Sequence, residues 1–536
     1  MSVFLATVPQ GTQLYHGTYI SEPVKGTEWL AFEPEHALIF ARPQEHGPPP
    51  EFHGPPHSGP RPGSPRPPPP SQHPLIASDS DAPSPTGYLH TYAATHPLSL
   101  LYIDGMSAGK TTNGTLDSQD HLLLNLSLGD RNPMGGEFAR AEGLCNLSYS
   151  LWNSKIDGFL RMEMGFEIIL CDFEKSLDRK AILAVDTRRD DEDRHKHIST
   201  MGGWRYYQAV ADRYHGIGGG RIAVDYENFV TAFEHTGSEL WDNDSESDVP
   251  MPRLTGVADA DLIQMRDAVT SMVLSAGTKR QRLATDARAV NWQALVDMLV
   301  TRYSTPLHAL SSPTSPLRSS KDAFADYLSA LLRPFIDLTA RNTTLETSRC
   351  IAQIVPPLPT PPASLPCLAH RTVHAVAYSV CHTLITAFDI TTLSLPRSVS
   401  STSPSQPPSQ ALDLIDALVA YLQWTTWKQC GACRDDELCI VPIWPMGTHE
   451  EHANPSCKNE SMAANRGGYW GYRRRGPPPE EPGKEPLCGR RGRGTGMVHG
   501  HGCPRPGPQL RKQGGHFGRV ALAWVAAWLR ELGVGW

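Results

Sequence analysis

Sixteen prolines fall within the forty-five residues from 43 to 87, with Pro-Arg-Pro-Pro-Pro-Pro at their centre. Proline has no backbone N–H to give to a helix or a sheet ladder, so this stretch must interrupt whatever folds on either side of it. It reads as a polyproline-like or disordered insertion, a spacer rather than a docking motif for an SH3-type domain. Pro/Ser-rich stretches recur at 311–319, 354–366 and 396–409, and residues 473–515 hold 19 Gly or Pro in 43. With 45 Gly and 48 Pro in 536 residues, and no Gly-X-Y period, the excess marks spacers between folded pieces and excludes collagen.

The patterning between these breaks gives the fold class. Residues 13–42 read as a short strand, a second strand around Trp29–Phe32 and a helical turn opening at Pro34, with Glu33 and Glu35 near its positive end. Residues 88–104 read as two strands broken at Pro97. In 159–171, strict alternation puts Arg161, Glu163, Gly165 and Glu167 on one face of a single strand and Leu160, Met162, Met164, Phe166 and Ile168 on the other, and 182–186 adds a further strand. From about 256 the period becomes helical, over 258–275, 291–303, 322–339, 367–388 and 410–429. The expectation is an α+β chain: a small N-terminal domain with a mixed or antiparallel sheet over 11–42 and 88–230, split by the disordered insertion 43–87; a helical region over 256–429; a disulfide-tied segment over 430–470; and a disordered basic Gly/Pro-rich tail over 473–536. This tail is unlike the rest of the chain and reads as an intron or frame error would.

The net charge of −7 hides an asymmetry, because residues 473–515 carry ten Lys/Arg against three Asp/Glu, which leaves the rest of the chain near −14. An acidic body lacks the clustered cations that displace counterions from phosphates, so nucleic-acid binding by it is excluded. No run of eighteen apolar residues occurs, and no ordinary membrane span is expected.

Compartment is read from asparagine and cysteine. Six of only twelve Asn open an Asn-x-Ser/Thr triplet: Asn113, Asn125, Asn146, Asn243, Asn342 and Asn459. Chance would supply roughly two, so the excess reads as glycosylation in the secretory pathway. Cys430, Cys433, Cys439 and Cys457 form a tight group that suits two disulfides or one zinc site; the spacing and the sequons favour disulfides. Cys350, Cys367 and Cys381 lie in the helical region as core residues or one further bridge. The opening MSVFLATVPQGT has no basic region and only a short apolar stretch, so the reading frame is expected to begin late, after a missing leader or anchor. An extracellular or membrane-anchored place follows, with the cytoplasm as the alternative.

Three stretches invite chemistry and are set aside. Asp104–Thr111, DGMSAGKT, imitates a phosphate-binding loop, but the first glycine is displaced to Gly105 and Asn113-Gly114 breaks the helix such a loop must open. His370, His374 and His382 share a helical face without a metalloprotease glutamate and read as core or surface histidines. The run 188–197 is a solvated loop. No resident metal or cofactor is expected.

Leu14-Tyr15-His16-Gly17-Thr18 resembles the first motif of the ADP-ribosyltransferase fold, and WLAFEPEHALIFA resembles the strand and helix of its second. That resemblance implies a histidine, His16, on the adenine ribose of NAD and a late-strand carboxylate, Glu163 or Glu167, stabilising an oxocarbenium-like transition state. The alternative function is therefore an NAD-using ADP-ribosyltransferase or NAD glycohydrolase with NAD as cofactor. In their order, LYHG, EWLAFEPEHA, LLYIDGMSAGK, GTLDSQD, EGLC and DGFLRMEMGFEIILCDF also resemble a family of uncharacterised fungal proteins with a leader or anchor and an extracytoplasmic body. This second resemblance covers roughly 11–175, more weakly 214–226, and the cysteine group at 430–457. It implies compartment and a shared loop containing Gly105, Ser107, Asp117 and Asp120 that is unrelated to phosphate; it brings no activity, substrate or partner.

Overall fold

The computed structural model describes residues 1–38, 40–41, 86–110, 114–125, 136–163, 165–187, 220–235, 238–242, 251–283, 290–356, 366–393, 406–428, 430–439 and 455–463. All but the last two residues of the expected insertion, together with the tail, the run 188–197, Asn113 and Asn243, lie outside the described residues.

Nine strands form one sheet: β1 (Ser2–Val8), β2 (Gln13–Thr18), β3 (Glu28–Ala31), β4 (Thr86–Ala94), β5 (Leu98–Ile103), β6 (Gly158–Met162), β7 (Phe166–Leu170), β8 (Leu177–Thr187) and β9 (Ala223–Thr231), in the order β8-β4-β2-β3-β7-β6-β5-β1-β9. All described pairings are antiparallel except β5 with β6, so the sheet is mixed as expected. The fold is α+β.

Both faces of the sheet are covered. On one, Val3, Leu5, Leu101, Ile103, Phe159 and Ile169 pack against Ala141, Leu144 and Cys145 of a helix, α2 (Glu137–Ser150), and against Leu262, Met265, Val269 and Val273 of the helix Asp259–Leu283. On the other, Phe4, Val8, Leu14, Leu30, Leu100, Leu160, Ile168 and Leu170 enclose Phe173. A sheet buried on both sides loses the polar/apolar alternation that marks a half-solvated strand.

That burial accounts for three departures from the expected boundaries. The folded chain does not begin at residue 11: Ser2–Val8 is an inner strand between β5 and β9, with apolar side chains on both faces. The first domain does not end at 230, because helix Asp259–Leu283 completes its core. The single strand expected over 159–171 is two strands, β6 and β7, joined at Gly165.

The helical region follows the expected spans closely, with helices at Trp292–Ser311, Lys321–Leu332, Leu368–Leu393 and Ser409–Leu422, plus one the periodicity missed at Thr343–Ala352. Asn291, Ser320 and Asn342 start three of them, each side chain accepting from a backbone N–H three residues on. Leu299, Tyr303, Leu307, Phe324, Leu328, Val380, Leu384 and Ile415 form the core of this region. Tyr226 and Phe229 of β9 pack on that core as well as on the sheet, so β9 is shared between the two layers. Segment Leu368–Thr392 is long and apolar enough to cross a membrane by length and composition, but Ala377, Val380, Cys381, Leu384 and Ile385 are fully buried in the helical core.

Among the described residues four disulfides brace the chain: Cys145–Cys171, Cys350–Cys381, Cys430–Cys439 and Cys433–Cys457. The last two use the four cysteines expected to pair, and a short two-stranded ladder, Glu437–Cys439 with Cys457–Asn459, runs between them. Cys367 is a free thiol.

Candidate functional site

The densest polar arrangement in the sheet domain starts at the β6–β7 hairpin. Gly165 sits at φ +129°, a conformation side-chain-bearing residues rarely adopt, and its carbonyl accepts from Glu163 N at 3.1 Å to close the turn. The resulting register sets Arg161 opposite Glu167. Arg161 Nε donates to Glu167 Oε1 at 3.0 Å, Nη1 to Gln119 Oε1 at 3.1 Å and Nη2 to Glu137 Oε2 at 2.9 Å. Arg161 is 0 % exposed, Glu163 4 % and Glu167 7 %, so these are not the solvated face of an edge strand.

Two neighbouring elements supply the partners. Glu137 opens α2, where the positive end of the helix favours a carboxylate. Burial raises its proton affinity, but Arg161, Lys110 and Arg140 outweigh that and hold its pKa down to about 2. Gln119 and Asp120 lie in a single π-helical turn, Ser118–Leu123, a wide turn that leaves five buried residues packed on the sheet. Arg140 of α2 grips Asp120 through Nε at 2.9 Å and Nη2 at 3.0 Å. Burial pushes the Asp120 carboxyl up, opposed by Arg140. Lys110 completes the group, its Nζ 3.9 Å from Glu163 and 4.0 Å from Glu137. Each carboxylate here faces a cation, which is what allows so many charges to be buried together.

His36 closes the arrangement from above the sheet. It lies on a short helix, α1 (Pro34–Leu38), that crosses β2 at Gly17; a Cβ on Gly17 would stand 1.8 Å from Ala37 O. Only glycine lets α1 come this close. Arg221 fixes the approach to α1, donating to Phe32 O at 3.1 Å and to Glu33 Oε1 at 2.7 Å. His36 is 3 % exposed, and desolvation lowers its pKa against the opposing pull of Glu167, so the ring is neutral at physiological pH. One nitrogen or oxygen each of His36, Glu163 and Glu167 lie within 4.8 Å of one another. His36 Nδ1 and Gln119 Nε2 are enclosed without a hydrogen-bond partner among the described residues.

His16 is elsewhere. Tyr15 pairs with Ala31, and Ala31 pairs with Glu167, so Tyr15 shares the face of Glu167 and its neighbour His16 points to the opposite one. There His16 Nδ1 donates to Trp29 O at 2.7 Å, and its ring meets Phe173 and His90 edge-on. Enclosure lowers its pKa to about 4. His90 Nε2 donates to Ile20 O, which leaves Nδ1 to accept from Tyr92 Oη, and Val24 N donates to that same oxygen. Glu28 of β3 has its pKa raised to about 7, mainly by burial. The structure therefore brings Glu163 and Glu167 together and does not bring His16 to either. The constellation that the ADP-ribosyltransferase resemblance implied is not formed.

The other singled-out residues are internally committed. Ser107 Oγ donates to Ile103 O, Asp117 accepts from Leu254 N and Arg253, and Lys110 Nζ donates to Ala108 O, so the glycine-containing loop holds itself and the hairpin rather than a phosphate. His370 and His374 stack on each other, His370 meets Trp292, and His382 stacks on Tyr378. Of the described sequons, Asn125, Asn146 and Asn342 are exposed and Asn459 is half-buried. The sequence reading missed His36, Lys110, Gln119, Glu137 and Arg140, and also the Cys145–Cys171 bond that ties α2 to the end of β7.

This charged group lies entirely within a stretch that is similar to fungal proteins. Residues 1–179 match the family of the YPL277C N-terminal domain. Over 541 aligned positions the chain is 25 % identical to the uncharacterized protein YOR389W of Saccharomyces cerevisiae, covering 87 % of this chain and 81 % of that protein. Over 187 positions it is 32 % identical to the uncharacterized protein YPL277C of the same yeast, covering 32 % of this chain and 36 % of that protein. The expected resemblance to a family of uncharacterised fungal proteins thus stands, and the relatives bring no activity. An ADP-ribosyltransferase relationship does not emerge from these matches. No solved structure matches the chain.

Proposed function

We propose that this is a glycoprotein of the secretory pathway, placed outside the cell or on its surface, whose N-terminal α+β domain is a rigid binding module. The observation that carries this reading is the distribution of its disulfides. One braces the sheet domain, one the helical region and two the cysteine-rich segment. Such bonds persist in oxidising compartments and are rare where glutathione keeps thiols reduced. Exposed sequons at Asn125, Asn146 and Asn342 agree with it, and at Asn342 the cap to Leu345 N uses Oδ1, which leaves the amide nitrogen available to a glycan.

The test is the electrophoretic mobility of the native protein from its own cells, before and after enzymatic removal of N-linked glycans, with free thiols blocked at lysis. A downward shift is expected, and with it a single blocked position, Cys367, among the nine described cysteines when the blocked sites are mapped by peptide mass spectrometry. An unchanged mobility with several blocked thiols would return the chain to a reducing compartment.

A further inference from the structure

We infer that His36, Glu163 and Glu167 form a binding site for one divalent transition-metal ion on the α1 side of the sheet. The three side chains come from α1 and from one hairpin, its β6–β7 turn and β7, and place one nitrogen and two oxygens within 4.8 Å of each other. All three are at least nine-tenths buried.

A buried imidazole normally finds partners for its nitrogens, yet His36 Nδ1 has none among the described residues and is sealed from water. Gln119 repeats the signal beside the same arginine. Its Oε1 accepts from Arg161, which fixes the amide orientation, and its Nε2 is left as an enclosed donor without an acceptor. One orphaned nitrogen and one orphaned N–H in a single polar group point to a missing occupant that takes a lone pair and brings an oxygen. A metal ion with a bound water does both.

The donor set selects the class of ion. One neutral imidazole and two carboxylates suit zinc or manganese, whereas magnesium and calcium prefer oxygen alone. Ligand bonds of about 2.1 Å in a tetrahedral site put ligand atoms roughly 3.4 Å apart, a contraction that side-chain rotation supplies. Charge agrees: Asp120, Glu137, Glu163 and Glu167 exceed Lys110, Arg140 and Arg161 by one. Arg161 on Glu167 then orients a ligand carboxylate from behind, as outer partners of metal ligands do.

The experiment uses the full chain with its disulfides intact, stripped with a chelator and titrated separately with zinc and manganese by calorimetry. One ion per chain is expected, with His36→Asn and Glu163→Gln each weakening binding about 100-fold or more. Cobalt substituted for zinc is expected to give visible d–d bands without sulfur-to-cobalt charge transfer, which separates this site from Cys430, Cys433 and Cys457. Glu163 lies in the hairpin turn outside the ladder, so its substitution tests the site should His36→Asn fail to fold. Absence of stoichiometric binding, binding equal in the parent and Glu163→Gln, or a thiolate signature would each overturn the inference.

Discussion

Arg161 and Glu167 occupy one rung of the β6–β7 hairpin, and the guanidinium of the first spans from the carboxylate of the second to Glu137 on α2 and Gln119 on the π-helical turn. A single buried cation thus joins a strand pair, a helix and a loop. Taking these charges from water costs several kcal/mol per ion, and their mutual pairing offsets it only while every partner is present.

Replacing Arg161 by Met is therefore expected to cost about 3–5 kcal/mol, because Glu167 and Glu137 stay buried with one cation fewer. The double change Arg161→Met with Glu167→Leu is expected to cost less than the single one, since it removes a stranded charge as well. Amide exchange of β6 and β7 read by mass spectrometry checks this, since it reports the sheet domain separately from the helices. Equal protection in parent and Arg161→Met would show that the hairpin does not depend on the pair.

The opposite face of the sheet carries two titrations of opposite sign. Glu28 has a folded pKa of about 7 against an ordinary 4.5, so the native state holds more protons between these values and loses stability as pH rises through them. His16 has a folded pKa of about 4 against 6.5, so the unfolded state holds more protons there and native stability is lost as pH falls from 6.5 to 4. Below pH 4.5 Glu28→Gln is expected to match the parent, and above pH 7 to exceed it by about 1–3 kcal/mol. His16→Gln is expected to match the parent's stability near pH 4 or below only after gaining on it as the pH drops from 6.5. Denaturant midpoints measured at intervals from pH 4 to 8 decide both; a difference independent of pH would contradict the burial of these groups.

How much of this was legible follows from where partners sit in the chain. Alternation in 159–171 correctly put Arg161 and Glu167 on one face, because their spacing preserves parity across the hairpin even though Gly165 turns the strand back. Their burial was not legible. It depends on Glu137, Gln119 and Lys110, which lie 24 to 51 residues upstream of Arg161 and reach it only through α2 and two loops. His36 was read as part of a helical turn, and that turn is there; nothing in Pro-Glu-His-Ala-Leu announces that Gly17 lets it descend onto the sheet. The four clustered cysteines read as disulfides because Cys439 and Cys457 lie too far apart for the second close pair of a zinc ribbon and the sequons point to an oxidising compartment. Cys145 and Cys171 gave no such signal, being 26 residues apart in two different elements.

That unforeseen bond is the most consequential of the four. Cys145 lies on the helix that carries Glu137 and Arg140, and Cys171 directly follows the strand that carries Glu167. Closing a loop of this length removes about 3 kcal/mol of unfolded-state freedom by chain-entropy reasoning. Cys145→Ala with Cys171→Ala is expected to cost about that much and to raise exchange in α2 first, while the pair Cys430→Ala with Cys439→Ala leaves α2 unchanged. Exchange rising equally in both variants would mean that α2 is not anchored through this bond.

Gly17 offers the sharpest separation between a structural and a positioning role. A methyl there meets Ala37 O at 1.8 Å and Ala41 N at 2.8 Å, both backbone atoms that cannot rotate away. Gly17→Ala must therefore lift α1, and His36 with it, while leaving the hairpin, Arg161 and both glutamates untouched. The expected cost is about 1–3 kcal/mol of stability, typical of overpacking, with zinc affinity falling at least tenfold. Gly11→Ala is the matched control. Its destabilisation has a different source: it loses a left-handed glycine, at φ +81°, while its Cβ meets nothing within 4 Å, so it carries backbone strain without moving α1. Comparable destabilisation in both variants, with zinc binding lost only in Gly17→Ala, would assign to this glycine the placing of His36. Equal zinc affinity in both would detach α1 from the site, because a ligand whose supporting helix has been displaced cannot keep its distance to two carboxylates fixed on the sheet.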